Sequence, residues 1–121
     1  MSALMGDDAD ADVDVVEVLS DEYVRTILTQ TREEPKSVDA LSDACEADPS
    51  TIYRRVRQLQ AVDLIEDQQQ LDPGGHHYKV YSARLEEVRI RLAEDGLEVD
   101  VDRTPTESAA DRFTRLYEGF K

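Results

Sequence analysis

The dipeptide Asp48-Pro49 constrains this chain more than any other feature. Proline has no amide hydrogen and holds φ near −65°, so it suits the first position of a helix and breaks the interior of one. A helix therefore begins at Pro49, with Asp48 as its cap, and runs to about Gln60 with Ile52, Val56 and Leu59 on one face. Another helix ends just upstream. Ser37 is an N-cap, and Val38, Leu41 and Cys45 recur at i, i+3 and i+7 over residues 38–45. Only Glu46-Ala47-Asp48 separates the two. Short amphipathic helices around so tight a turn form a helix-turn-helix pattern, which any small helical bundle shares.

The flanks sharpen that pattern. Ser20 is placed to cap a helix running to about Arg32, with Tyr23, Val24, Ile27 and Leu28 as its buried stripe and Asp21 and Glu22 at its positive end. Glu33-Glu34-Pro35 ends it. After the second short helix, Leu64 to Gln69 reads as a strand, Leu71 to Gly75 as a loop, and His77 to Ser82 as a second strand rich in β-formers. Helix-turn-helix followed by a β-hairpin is the winged-helix order. Further on, Val88, Ile90 and Leu92 alternate with charge, as do Leu97, Val99 and Val101, and Asp95-Gly96 reads as the turn of a second hairpin. Thr104-Pro105-Thr106-Glu107 is a capping box. The helix it opens carries Ala109, Phe113, Leu116, Tyr117 and Phe120 on one stripe. The second hairpin and a partner chain are both able to cover that stripe. Dimerisation through Phe113, Leu116, Tyr117 and Phe120 is the expectation.

The fold class expected is α+β: a winged helix-turn-helix with an extra C-terminal β-hairpin and a C-terminal dimerisation helix. The expected divisions are an acidic disordered arm over 1–14, the winged domain with its added hairpin over 15–103, and the dimerisation helix over 104–121.

Charge first argues against nucleic acid. The 121 residues hold 28 acids and 14 bases, a net charge of −14. Of the bases only Lys36, Lys79 and Lys121 are lysine. Abundant Asp, scarce Lys and few aromatics resemble the proteins of salt-loving archaea, which work in molar KCl, where high charge preserves solubility under strong screening.

The acid is unevenly spread, however. The two longest acid-free windows are Pro49 to Val62 and Pro73 to Leu85. They coincide with the third helix and the wing, the elements of a winged helix that face DNA. Phosphate repels carboxylates and attracts guanidinium groups, so a DNA face excludes acid. At about 100° per residue, Ser50, Arg54 and Arg57 point away from Ile52, Val56 and Leu59, toward a major groove. Thr51, Tyr53 and Gln58 flank them. Arg54 suits a bidentate contact to a guanine edge. Arg55 lies beside the core and suits a phosphate or an internal carboxylate. In the wing, His76, His77 and Lys79, with Gly75, are within reach of an adjacent minor groove or its phosphates, and Arg84 adds to the positive window. Ser37 is first a cap and second a phosphate contact.

Other chemistries find little support. Glycine-rich phosphate loops, nucleophile motifs and paired His–carboxylate spacings are missing, so no enzyme is expected. His76 and His77 are read as lacking thiolate or carboxylate partners, and neither a metal nor another cofactor is expected beyond cations, K+ among them, at a DNA interface. Cys45 sits on an apolar stripe and reads as a buried thiol, whereas a redox sensor needs an exposed, low-pKa thiolate. No apolar run is long enough to span a membrane, and the acidic start is unlike a signal peptide, which points to a cytoplasmic protein.

The segments LSDEYVRTIL, ACEADPSTIYRRVRQLQAVDLI and GGHHYKVYSA together resemble the haloarchaeal winged-helix regulators related to the ArsR and PadR groups, over roughly residues 18–102. The resemblance implies a homodimeric transcription factor on a pseudo-palindromic promoter site, read by Ser50, Thr51, Tyr53, Arg54 and Arg57 with the wing assisting. One member type is a global regulator of the oxidative-stress response. The metal-binding cysteines of ArsR sensors are missing here and the long C-terminal domain of PadR proteins is reduced to one helix, so metal sensing is not implied. Two other readings stand beside this one. The first is a winged-helix module binding protein within the transcription machinery. The second is a ligand or redox sensor with a cavity among Tyr23, Phe113 and Tyr117.

Overall fold

The computed structural model describes residues 14–105. Residues 14–19 are helical (α1). After them come α2 (Glu22–Glu33), α3 (Val38–Cys45), α4 (Pro49–Ala61), β1 (Ile65–Leu71), β2 (His77–Ala83), β3 (Leu85–Ala93) and β4 (Gly96–Arg103). The expected arm up to Val13 and the expected C-terminal helix from Thr106 lie outside the described residues. Asp14, assigned to that arm, is already helical, and Val15 beside it is buried in the core.

Each helix has the termini its sequence dictates, with adjustments. Ser37 caps α3 by accepting a hydrogen bond from the Ala40 amide. The cap of α2 is Asp21 rather than Ser20: its Oδ1 accepts from the Val24 amide at 3.0 Å, while the Ser20 hydroxyl donates to the Glu17 carbonyl. An ionised carboxylate is the stronger acceptor at the positive end of a helix. Asp48 stands at the cap of α4 without a side-chain cap bond; its carbonyl accepts from the Thr51 and Ile52 amides instead. Glu46 makes the turn between α3 and α4 in the left-handed region, φ 53°.

Helices α2 to α4 enclose one core, to which α1 adds Val15. Val24, Ile27 and Leu28 from α2, Val38 and Leu41 from α3, and Ile52, Val56 and Leu59 from α4 meet Leu64, Ile65 and Tyr81. Tyr23, expected in the buried stripe of α2, is only half-buried, and so is Cys45 on α3. Apolar side chains at helical spacing bury about 1.5–3 kcal/mol each, which is what holds helices this short together.

β1 and β2 pair antiparallel from Ile65↔Ala83 to Leu71↔His77 and form the wing. Lys36 adds an antiparallel bridge to Tyr81 through two backbone bonds, which ties the entry of α3 to the wing. Leu71, read as loop from its neighbours, is in the strand because it has His77 to pair with. β3 and β4 form a separate hairpin from Leu85↔Arg103 to Ala93↔Gly96, with a bulge between Leu85 and Glu87. Its two-residue loop is Glu94-Asp95, one place earlier than Asp95-Gly96. Gly96 is the first residue of β4, with φ 140°, a conformation an L side chain rarely adopts.

Candidate nucleic-acid interface

α4 buries Ile52, Val56 and Leu59 and so turns its other side outward. Ser50, Tyr53, Arg54 and Arg57 are exposed there, and Thr51 is half-buried at the edge. Among the described residues, neither Arg54 nor Arg57 makes an ion pair, although most other arginines do. The helix supplies no acid to them: none lies on α4 at all. Two guanidinium groups without carboxylate partners on one open helix face are what a phosphate or a guanine edge requires.

Arg55 has a different task. Its Nε lies 2.9 Å from Asp21 Oδ2, in an ion-pair approach whose angle is not that of a hydrogen bond. Its guanidinium sits over the Tyr23 ring, 5.9 Å from the centroid. Of the two readings open to it, the internal ion pair is the one realised. Because Asp21 also caps α2, one carboxylate joins the start of α2 to the middle of α4.

The wing faces the same side but is less cationic than its sequence window. Strand β1 carries acid opposite β2, and Lys79 Nζ lies 3.6 Å from Asp67. His76, read as lacking a carboxylate partner, has one: its Nδ1 lies 3.4 Å from Asp72, four residues back across the wing turn, whose carboxylate also accepts from the His76 amide and shapes the wing loop. His77 is exposed at the start of β2. Arg84 belongs elsewhere: it pairs with Asp63 at 2.7 Å and donates twice to the Thr104 carbonyl, so it anchors the second hairpin.

Between α4, the start of α3 and the wing lies a cleft of about 310 Å³. Ser37, Val38, Asp39, Tyr53, His77, Tyr78, Lys79 and Tyr81 line it. Phenol and hydroxyl groups dominate its polar lining, with Asp39 as the acid. Burial raises the Tyr81 phenol above its ordinary value, helped by Asp67 and Tyr53 and opposed by Arg57, which keeps it a hydrogen-bond donor. Tyr53, His77 and Lys79 were expected at such a surface. Tyr78 and Tyr81 were not, yet the two-residue period of a strand puts Tyr81 on the same face as His77 and Lys79.

Cys45 packs against the core, and its thiol is raised by burial first and by Asp21 second, which favours the protonated form over the thiolate. Among the described residues, no group of three or more His, Cys, Asp or Glu is placed to hold a metal ion. Likewise, no described helix is long and apolar enough to cross a membrane.

Helices α2 to α4 with the β1–β2 wing define a winged helix-turn-helix domain. The comparisons with known proteins agree. A helix-turn-helix domain model matches residues 19–68, which span α2 to α4 and the start of β1. The structure is similar to NolR from Sinorhizobium fredii, with a TM-score of 0.57 and 17% sequence identity over 69% of this chain and 78% of that one. No curated protein matches the sequence significantly.

Proposed function

We propose that this chain is a sequence-specific DNA-binding transcription regulator, acting as a homodimer on a pseudo-palindromic promoter site. The observation that carries the reading is the pair of exposed, carboxylate-free arginines, Arg54 and Arg57, on the outer face of α4 in an otherwise acidic molecule. In this reading α4 enters the major groove, with Arg54 on a guanine edge and Ser50, Thr51, Tyr53 and Arg57 beside it. Ser37, Tyr53 and the wing residues His76, His77 and Lys79 approach the flanking backbone through the cleft. Half-sites lie about one helical turn apart, as dimeric helix-turn-helix proteins require. The dimer assembles through Phe113, Leu116, Tyr117 and Phe120.

Asp39, Asp67 and Asp72 stand at the edge of the same surface, so cations, K+ foremost, bridge protein and phosphate there. This fits the halophilic composition. The resemblance to haloarchaeal regulators extends the proposal to stress-responsive control. Cys45, raised and packed against the core, is not the sensor in that reading.

Arg54→Ala tests the assignment. Specific affinity should fall by about 1–3 kcal/mol, roughly 10- to 100-fold, because a good bidentate base contact is worth that much. Helix content and oligomeric state should stay unchanged. An unaltered footprint for Arg54→Ala would reject α4 as the reading helix and favour a protein-binding role for the same fold.

A further inference from the structure

The β3–β4 hairpin is two-faced. One face holds Glu87, Arg89, Arg91, Glu98 and Asp102 in cross-strand and same-strand ion pairs, and it is a solvated surface. The other is apolar: Val88 pairs with Val101, Ile90 with Val99, and Leu92 with Leu97. Val88 and Val101 pack on the rim of the core. Beyond them the face runs out uncovered, with Ile90 at 55%, Leu97 at 67% and Leu92 at 80% exposure. A two-stranded hairpin is marginal in water unless something packs on it. This face therefore needs a cover.

The segment over residues 106–121 fits by length. As a helix, its stripe from Ala109 to Phe120 extends about 17 Å at 1.5 Å per residue. The apolar face from Val88 to Leu92 extends about 13 Å at 3.3 Å per residue. Two bare hairpins meeting face to face would bury only a few hundred Å² each, well short of the roughly 800 Å² per partner of a stable interface. A docked stripe of Phe, Leu and Tyr supplies the rest.

The exit of the chain from β4 favours the segment of another copy. The Thr104 amide donates to the Arg84 carbonyl at 2.7 Å, and Arg84 donates back to the Thr104 carbonyl at 3.1 and 3.0 Å. Thr104 is thus held in line with β4, and Pro105 after it keeps it extended. A layer packed on a sheet sits about 10 Å above it. One extended residue spans about 3.5 Å. At Pro105 the described chain therefore leaves the base of the hairpin in the direction of β4, away from Ile90 and Leu92, and a segment docked on its own hairpin would have to reverse at once.

We propose that residues 106–121 of a second copy cover the apolar face of β3–β4, each chain giving its C-terminal segment to the hairpin of the other. The inference rests on the homodimer reading above and gives that dimer its geometry. Its test uses the full chain, with light scattering across a range of concentrations. The wild type should be a dimer, and Ile90→Thr with Leu92→Thr should weaken self-association at least 100-fold while the circular dichroism of the winged domain stays unchanged. A dimer unaffected by these changes would overturn the docking site. Cross-linking then separates exchange from self-docking: in a Cys45→Ser background, Ile90→Cys and Leu116→Cys are joined by a short bis-maleimide, and the link between positions 90 and 116 is located by peptide mass. Product at dimer mass supports exchange, and an internally closed monomer overturns it. A monomeric wild type with an intact footprint would sink this inference while leaving the DNA-reading role of α4 standing.

Discussion

A position beside the core sets two partners in competition for Arg55: a phosphate outside and a carboxylate inside. The inside partner wins because Asp21 is already held there, with Oδ1 capping α2 and Oδ2 facing Arg55. The pair is largely withdrawn from solvent, at 19% and 29% side-chain exposure, so it is screened less than a surface pair. Its work is to fix the angle of α4 against α2, and through that the direction of Arg54 and Arg57. Asp21→Ala removes a cap worth about 1 kcal/mol and leaves Arg55 without its counter-charge. The expected loss is about 2 kcal/mol, a fall in Tm of the order of 10 °C for a domain of this size, read by calorimetry. Asp21→Asn keeps the cap and should recover about half of that loss.

At the scale of elements, α2 to α4 and both hairpins were legible in the sequence, because caps, proline and hydrophobic period are local signals, whereas α1 was not: its six residues carry no cap or full helical period. Ser37, Pro49 and the Ile52–Val56–Leu59 stripe all act within a few residues of where they are read. What escaped is what depends on partners distant in the chain. Gln70 and Leu71 carry no strand signal and extend only because Tyr78 and His77 stand opposite. Lys79 and Arg84 read as free cations of the wing, yet Asp67 and Asp63, each more than ten residues away, neutralise them. Within the candidate site, α4 was legible because a helix makes its own face, whereas the charge of the wing is a property of two strands together. Arg84 makes the point testable. Its two bonds to the Thr104 carbonyl and its ion pair with Asp63 hold the base of β3–β4 to the end of α4, and Arg103 adds bonds to the Val62 and Asp63 carbonyls. Arg84→Ala should therefore loosen the second hairpin locally, by roughly 2–3 kcal/mol given charged hydrogen bonds of about 1.5–3 kcal/mol each and partial compensation by Arg103. Hydrogen exchange should speed up across residues 85–103 while the protection of α2 to α4 remains.

Over the whole molecule, the charge of −14 is the dominant long-range fact, and Arg54 and Arg57 are a local exception to it. An ordinary basic repressor releases cations from DNA as it binds, and its affinity falls steeply with salt. Here the proposed contact surface brings carboxylates with it. Asp39 lines the cleft, Asp67 pairs with Lys79, Asp72 lies beside His76, and Asp43, Glu46 and Asp48 stand around the turn that leads into α4. In the proposed complex each carboxylate brought near a phosphate needs a cation between them, so binding would take up cations at these points while contacts by Arg54 and Arg57 would release them. At low salt the unscreened repulsion between −14 and the duplex dominates, since the Debye length is about 30 Å at 0.01 M and only about 3 Å at 1 M. The affinity for the operator should therefore change little, or rise, as KCl goes from tenths of molar to molar. Titrations by fluorescence anisotropy across that range read the slope directly, and a steep monotonic loss would remove the cation bridge from the account. Asp67→Asn with Asp72→Asn should turn the slope toward the ordinary negative value, because it frees Lys79 and His76 for phosphate and removes two points of cation uptake.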